Sequence, residues 1–391
     1  MARGVRVAVA TTHPIQYQAP WFRALAARPE VELEVGFAWI PDAAAQGVGF
    51  GVPFEWDEPL RAGYASVELA RGGGRAALSR FGGLRLRAPG CWLTGRFDAV
   101  VTTGWNAWAL VQVALAARRL GLPVVVRGDS CGGVRRPLAV RLTHRALLRL
   151  YAALLVVGQR NRDFYVGYGV PNARLFDCPH FVDNERFARS ADAARPWRAE
   201  RRARWGVPEG AVCLLFAGKL AAVKNVGGLL AALERARAAA PRLHLLVVGE
   251  GAGRARLERH AVARALPVSW VGFLNQSEMP AAYAAADLLV LPSHSETWGL
   301  VVNEAMACGL PALVSDAVGC APDLVRAGET GWTFRAGDVA GLAGVLVEAA
   351  ASAPELARRG AAARRLVHER YSVERAVEGT LEALASVVRS A

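Results

Sequence analysis

Residues 291–311 read LPSHSETWGLVVNEAMACGLP. An apolar run, Leu288–Leu291, stops at Pro292 and predicts a strand. Ser293, His294, Ser295 and Glu296 form a polar turn. The next residues predict a short helix, roughly Gly299 to Cys308, closed by Gly309, and Pro311–Ser315 begins another strand. Val301, Ala305 and Cys308 recur at helical spacing and give that helix a buried face. The first amides of a helix lack internal partners and carry the positive end of its dipole. Here they belong to Trp298, Gly299, Leu300, Val301 and Val302, so the turn is ready to take an anion. Glu296 precedes the helix and Glu304 lies one turn in, two carboxylates that accept hydrogen bonds from hydroxyls. Either Glu alone is ordinary for a solvated helix start. The run as a whole fits a ligand that is both phosphorylated and polyhydroxylated.

This stretch resembles the signature of the retaining glycosyltransferases of family 4, the group 1 glycosyltransferases. In that family two glutamates with seven residues between them lead into an Ala-Met-Ala-Cys-Gly-like run, as do Glu296 and Glu304 before Ala305-Met306-Ala307-Cys308-Gly309. The resemblance implies that Glu296 contacts the hydroxyls of a donor sugar. It implies that Glu304 takes ribose hydroxyls and that the amides after Trp298 hold the distal phosphate. Trp298 stands where Phe is more usual.

Length and charge bound the rest. With 391 residues, 53% of them apolar, the chain makes about two domains of ordinary size with large cores. No apolar run reaches transmembrane length, and the first residues, MARGVRVAVATTHP, read as a strand rather than a leader. Cys91, Cys131, Cys178, Cys213, Cys308 and Cys320 are scattered without a CxxC, which points to buried thiols in a reducing cytoplasm and not to disulfides or a metal site. The net charge of +13 favours anionic partners: phosphorylated substrate or phospholipid surface. No nucleic-acid motif accompanies it, so no nucleic-acid partner is expected. Almost all of the positive charge is Arg; the only lysines are Lys219 and Lys224, five positions apart. Chance explains such a pair as well as function does until the surrounding residues are read.

Strands and helices alternate through residues 1–187, which predicts a doubly wound parallel sheet with ligands at the carboxyl ends of its strands. Three strand ends carry the candidates. The first is Thr11-Thr12-His13-Pro14-Ile15-Gln16-Tyr17, the next Thr103-Gly104-Trp105-Asn106, and the last Arg127-Gly128-Asp129-Ser130. Residues 40–97 read as irregular, and Arg71–Arg87 as a basic, glycine-rich loop. A following helix, Pro137–Leu150, sets Arg141, Arg145 and Arg149 on one face against leucines, a pattern of a solvated face or of a helix lying on an anionic membrane. Residues 189–205 are polar and Pro-broken, as a linker plus helix would be. A second doubly wound domain is expected over 188–370, and a last helix, within 371–391, to return to the first.

Within the second domain the family resemblance continues. Gly218-Lys219 and Lys224 follow the strand Ala211–Ala217, where family members carry an Arg-x4-Lys loop that binds the donor diphosphate. Gly249-Glu250-Gly251 resembles the family's Gly-acid-Gly loop, and Phe273 stands where the nucleotide base rests. The resemblance implies the GT-B fold, two Rossmann-like domains facing a cleft, and transfer of a sugar from a nucleoside-diphosphate sugar to an acceptor hydroxyl with retention. Lys219, Lys224, Glu296 and Asp129 are the catalytic candidates, Asp129 because family members often place a His near the transferred sugar there. His13, Gln16, Tyr17 and Arg127 are acceptor-side candidates; a His-Pro-Ile-Gln-Tyr run occurs in a subset of the family. The chain has no Asp-x-Asp, so the diphosphate charge is expected to be met by the lysines and the helix start without metal or cofactor. The acceptor class stays open among glycan, lipid-linked glycan and small molecule. A GT-B nucleotide-sugar 2-epimerase and a non-catalytic sugar-nucleotide-binding subunit remain the alternatives.

Overall fold

The computed structural model describes residues 4–70, 81–132 and 136–388. The chain folds into two units, each a parallel sheet covered by helices.

The first unit draws on Met1–Gln46, Phe54–His180 and Ser372–Ala391. Its elements run β1 (Val5–Thr11), α1 (Ala19–Ala26), β2 (Val31–Phe37), α2 (Ala43–Gln46), β3 (Ala65–Glu68), α3 (Pro89–Leu93), β4 (Ala99–Thr102), α4 (Trp108–Arg119), β5 (Val124–Arg127), α5 (Leu138–Leu148), β6 (Ala153–Val156), α6 (Gln159–Gly167) and β7 (Leu175–Asp177). The sheet order is β3-β2-β1-β4-β5-β6-β7, all parallel. Strands β4, β5 and β6 are buried at every position, which is why they read as unbroken apolar runs without alternation.

The second unit draws on Gly47–Pro53 and Phe181–Tyr371. It runs α7 (Asn184–Ala194), α8 (Arg198–Arg204), β8 (Val212–Ala217), α9 (Val226–Ala236), β9 (Leu243–Val248), α10 (Arg254–Ala263), β10 (Val268–Gly272), α11 (Met279–Ala285), β11 (Leu288–Leu291), α12 (Leu300–Ala307), β12 (Ala312–Ser315), α13 (Ala321–Leu324), β13 (Gly331–Phe334), α14 (Val339–Ala350) and α15 (Ala353–Arg370). Its sheet order is β10-β9-β8-β11-β12-β13, again parallel. The last helix, α16 (Val373–Val388), packs in the first unit, where Trp21 Nε1 donates to Thr380 Oγ1 at 3.2 Å and Cys178 Sγ lies 3.4 Å from the Ala376 carbonyl.

Three readings change. The stretch 40–97 is not irregular throughout: it holds α2, α3 and the edge strand β3, whose half-exposed Ala-Ser-Val-Glu sequence gives no apolar run to detect. Residues 189–205 hold the expected helix but are no linker between units: they carry the end of α7 and all of α8, within the second unit. Arg198 and Arg202 grip opposite oxygens of Asp287 at 2.6 Å each, fastening α8 to the residue before β11. Of the cysteines, Cys91 is exposed and Cys131 half-buried, and only the other four are buried. The expected loop 71–87 falls in part, at 71–80, outside the described residues. No single helix among the described residues is long and apolar enough to cross a membrane.

Candidate active site

In the second sheet the direction of winding reverses between β8 and β11. Ligands of open parallel sheets sit at such switch points, outside the carboxyl ends of the strands. The two loops that leave these strands carry the lysines and the first glutamate. Asn225, in the left-handed region at φ 54°, donates through Nδ2 to the Pro292 carbonyl at 3.2 Å and caps α9 by accepting from Gly228 N at 3.2 Å. His294 N donates to the Val223 carbonyl at 2.8 Å. Thus the turn after β8 is fastened to the turn after β11.

That fastening brings Lys224 onto Glu296. The Lys224 ammonium donates to Glu296 Oε1, and Ser293 Oγ donates to the same oxygen at 2.9 Å. Both charged side chains are largely shielded, 21% and 15% exposed, and Ser293 is fully buried. Lys219 lies nearby in the same loop. Burial, with the Lys224 charge adding to it, lowers the Lys219 ammonium from the usual lysine range. Its Nζ stands 4.6 Å over the Phe50 ring and 3.4 Å from the Val48 carbonyl. Phe50 in turn meets Phe273 edge to face at 5.3 Å. Val48 and Phe50 come from the Gly47–Pro53 segment of this unit, and nothing in the sequence near Lys219 announces them.

The helix start is as read, one residue later: Gly299 is the N-cap of α12 at φ 99°, and a Cβ there would lie 3.0 Å from Val318 Cγ1 and 3.2 Å from Leu291 Cδ2. Val302 N bonds back to the Gly299 carbonyl at 2.9 Å, leaving Leu300 and Val301 as the opening amides of the helix. Trp298 does not offer its ring to a ligand. It is 4% exposed, donates Nε1 to Asn303 Oδ1 at 2.8 Å and faces inward toward Tyr371, the rings tilted with centroids 6.2 Å apart, so only its backbone serves the turn. Glu304 is 3% exposed and accepts from Tyr283 Oη at 2.5 Å. Tyr283 was not singled out by its sequence context, and its side chain fixes that carboxylate.

The glycine loops have a structural cause. A Cβ on Gly249 would lie 2.0 Å from the Gly218 carbonyl oxygen. Gly218 N donates to Val248 O at 3.0 Å, and Leu220 N to Glu250 O at 2.9 Å. The turns after β8 and β9 therefore run backbone against backbone through Gly218, Gly249 and Gly251, which presents Lys219 at their rim.

In the first unit the switch point falls between β1 and β4. Thr103 Oγ1 donates to Thr11 Oγ1 at 2.9 Å, which donates to Gln18 Oε1 at 2.8 Å, joining the two strand ends. His13 follows, its Nδ1 2.9 Å from Thr12 Oγ1, and burial pushes its imidazole down to about 4, leaving it neutral at pH 7. Gln16 and Tyr17 are half-buried in the turn before α1, and Asp129 is exposed just past β5. Arg127 is not presented as an acceptor-side cation. It is 8% exposed, with its guanidinium 5.3 Å over the Trp21 ring, Nε 3.2 Å from Cys178 Sγ and Nη2 donating to the Pro179 carbonyl at 3.2 Å. It braces the segment after β7. Among the described residues no cluster of three or more His, Cys, Asp or Glu is arranged to hold a metal ion.

The chain is similar to known proteins in sequence and in fold. The family model described as "Glycosyl transferases group 1" matches residues 198–366. The chain is 40% identical over 178 residues to the glycogen synthase of Mycobacterium tuberculosis (strain CDC 1551 / Oshkosh), a match covering 44% of this chain and only 41% of that relative. It is 30% identical over 314 residues to the D-inositol 3-phosphate glycosyltransferase of Stackebrandtia nassauensis, covering 75% of this chain and 70% of the relative. Among solved structures it is similar to Anabaena HepE in complex with UDP and glucose, with a TM-score of 0.70 at 18% identity over 98% of this chain and 100% of that one. The fold is accordingly GT-B, and the chain belongs to the group 1 glycosyltransferases.

Proposed function

We propose that the protein transfers a sugar from a nucleoside-diphosphate sugar to an acceptor hydroxyl with retention of anomeric configuration and without a metal ion. The observation that carries this reading is the meeting of Lys224 with Glu296 at the β8/β11 switch point, with Lys219 beside it and the α12 amides beginning four residues on, at Leu300. A diphosphate there would draw on both ammonium groups and the helix start, which stabilise charge as it develops on the leaving oxygen. The bond from the anomeric carbon to phosphate oxygen breaks, and the acceptor oxygen attacks on the same face. The acceptor proton passes to the departing phosphate. Glu296, freed from Lys224 by the diphosphate, accepts from donor hydroxyls, and Glu304 holds the ribose. UDP and glucose bound to HepE support a nucleotide-sugar donor for this chain by analogy. The catalytic part of Asp129 and the acceptor-side parts of His13, Gln16 and Tyr17 belong to the same proposal. The test is nucleotide-sugar hydrolysis and transfer by Lys224→Ala. A fall of about a hundredfold is expected, and near-wild-type rates with an identified donor would reject the reading.

The protein works, on this proposal, in the cytoplasm against the inner face of the plasma membrane. Helix α5 supports it. Leu138 and Leu142 are 68% and 59% exposed, and Arg141, Arg145 and Arg149 are exposed beside them, while of its leucines only those at the far end, Leu147 and Leu148, pack on the core. Such a helix suits an anionic lipid surface.

A further inference from the structure

Two buried serines decide where the Glu296 carboxylate lies. Among the described residues that carboxylate has two partners, Lys224 Nζ and Ser293 Oγ, and both reach Oε1. Oε2 is left for a ligand hydroxyl. Ser293 is itself held from the next strand: Ser315 Oγ, at the end of β12, donates to the Ser293 carbonyl at 2.5 Å. Both serines are fully buried, so water does not compete for either hydroxyl. In hydrogen bonding, Ser315 reaches Glu296 only through Ser293.

The backbone after β12 supports the same turn. Glu296 N donates to the Ala317 carbonyl at 3.3 Å, and Cys320 N to the Trp298 carbonyl at 2.9 Å. Between them Gly319 lies against the turn: a Cβ there would fall 1.9 Å from the Thr297 carbonyl oxygen and 2.9 Å from Trp298 Cα. Residues 315–320 therefore run beside 293–298 and fix the main chain that carries Glu296. The carboxylate, at the end of a flexible side chain, needs its own hold. Lys224 is the stronger tether, being charged. A diphosphate carries more charge than one carboxylate and competes for the same ammonium. Once Lys224 turns to the diphosphate, the Ser293 hydroxyl is the hold that remains on Oε1 among the described residues.

Resting on the glycosyltransferase reading, we propose that Ser293 and Ser315 are positioning residues for Glu296, their two hydroxyls keeping its carboxylate aimed at the donor sugar after the diphosphate has drawn Lys224 away. They serve the sugar end of the donor and leave the diphosphate end alone. A grip misplaced by about 1 Å in the transition state costs about tenfold or more in rate.

NMR of the full chain, isotope-labelled in lysine alone, tests the link. Lys219 and Lys224 are the only lysines, so two side-chain signals result, and Lys219→Met assigns them. Ser315→Ala is expected to shift the Lys224 signal more than that of Lys219, although Ser315 bonds to neither. In turnover of UDP-glucose or GDP-mannose, whichever the parent hydrolyses, Ser293→Ala and Ser315→Ala should each lower kcat about tenfold. Affinity for inorganic pyrophosphate, read by calorimetry, should stay within about twofold of the parent. The double variant should fall no further than Ser293→Ala, because Ser315 acts through Ser293. A merely structural role would instead lower the melting temperature, pyrophosphate affinity and kcat together. That result, additive losses in the double variant, or an unmoved Lys224 signal in Ser315→Ala overturns the proposal. The two readings fail separately. If the parent hydrolyses no nucleotide sugar, the transferase reading falls and the lysine signals still decide whether the serines place Glu296. An unmoved Lys224 signal sinks the serine link whatever hydrolysis shows.

Discussion

Lys224 and Glu296 are ion-paired across the loops that leave β8 and β11, with Ser293 donating to the same carboxylate oxygen. The pair is mostly shielded from water, so each charge depends on the other more than a surface pair would. Lys224→Met and Glu296→Gln should each destabilise the second unit, and the double variant should lose less than the sum. Chemical denaturation of the four proteins is expected to give a coupling on the order of 1–2 kcal/mol. Strict additivity would mean the pair contributes nothing.

Lys219 gives a pH signature. Its ammonium is lowered by burial and by Lys224, and a bound diphosphate would raise it again. Binding of inorganic pyrophosphate should therefore take up protons, with affinity falling as pH rises through the lowered value of the free protein. Calorimetry in two buffers of different ionisation enthalpy measures that uptake. Lys219→Met should abolish it.

His13 makes the first unit acid-sensitive. The imidazole titrates near its ordinary 6.5 when unfolded and at about 4 when folded. Between those values the unfolded chain binds more protons, so stability is full above 6.5 and falls as pH drops toward 4. The loss attributable to His13 is on the order of 1–3 kcal/mol. Denaturation midpoints of His13→Gln across that window should slope less steeply than those of the parent. His180, pushed well down by burial and by Arg127, should leave a residual slope.

Gly249→Ala should be severe. Its Cβ would fall 2.0 Å from the Gly218 carbonyl oxygen, at φ 130°. The backbone must move, at a cost of about 3 kcal/mol or more. The Lys219 loop would shift with it, so pyrophosphate affinity should fall as well as the melting temperature.

For α5 the prediction concerns partition. Vesicles containing anionic phospholipid should float with the wild-type chain, and neutral vesicles should float less of it. Leu138→Ser with Leu142→Ser should reduce flotation about tenfold, because apolar burial at the interface is lost. Failure of the wild-type chain to float at any salt concentration ends the membrane proposal.

The strands were legible because most are apolar along their whole length, and β11 falls on the expected residues, Leu288–Leu291. Local chemistry also marked the α12 start, since a glycine before an apolar helical repeat has few other uses. What the sequence hid are relations set by packing. Whether Trp298 faces ligand or core depends on Asn303 and Tyr371. Arg127 looked like a strand-end cation and is a brace, because its partners Cys178 and Pro179 lie beyond two further helices and two strands.

Helix α16 has a consequence for synthesis. The first unit is completed by the last segment of the chain, where Thr380 receives the Trp21 indole proton. During translation the amino-terminal sheet must therefore wait, with its α1 flank uncovered, until the entire second unit has left the ribosome. Expression of a fragment ending near residue 180 should yield an aggregating product, while supplying α16 as a separate peptide should rescue its solubility.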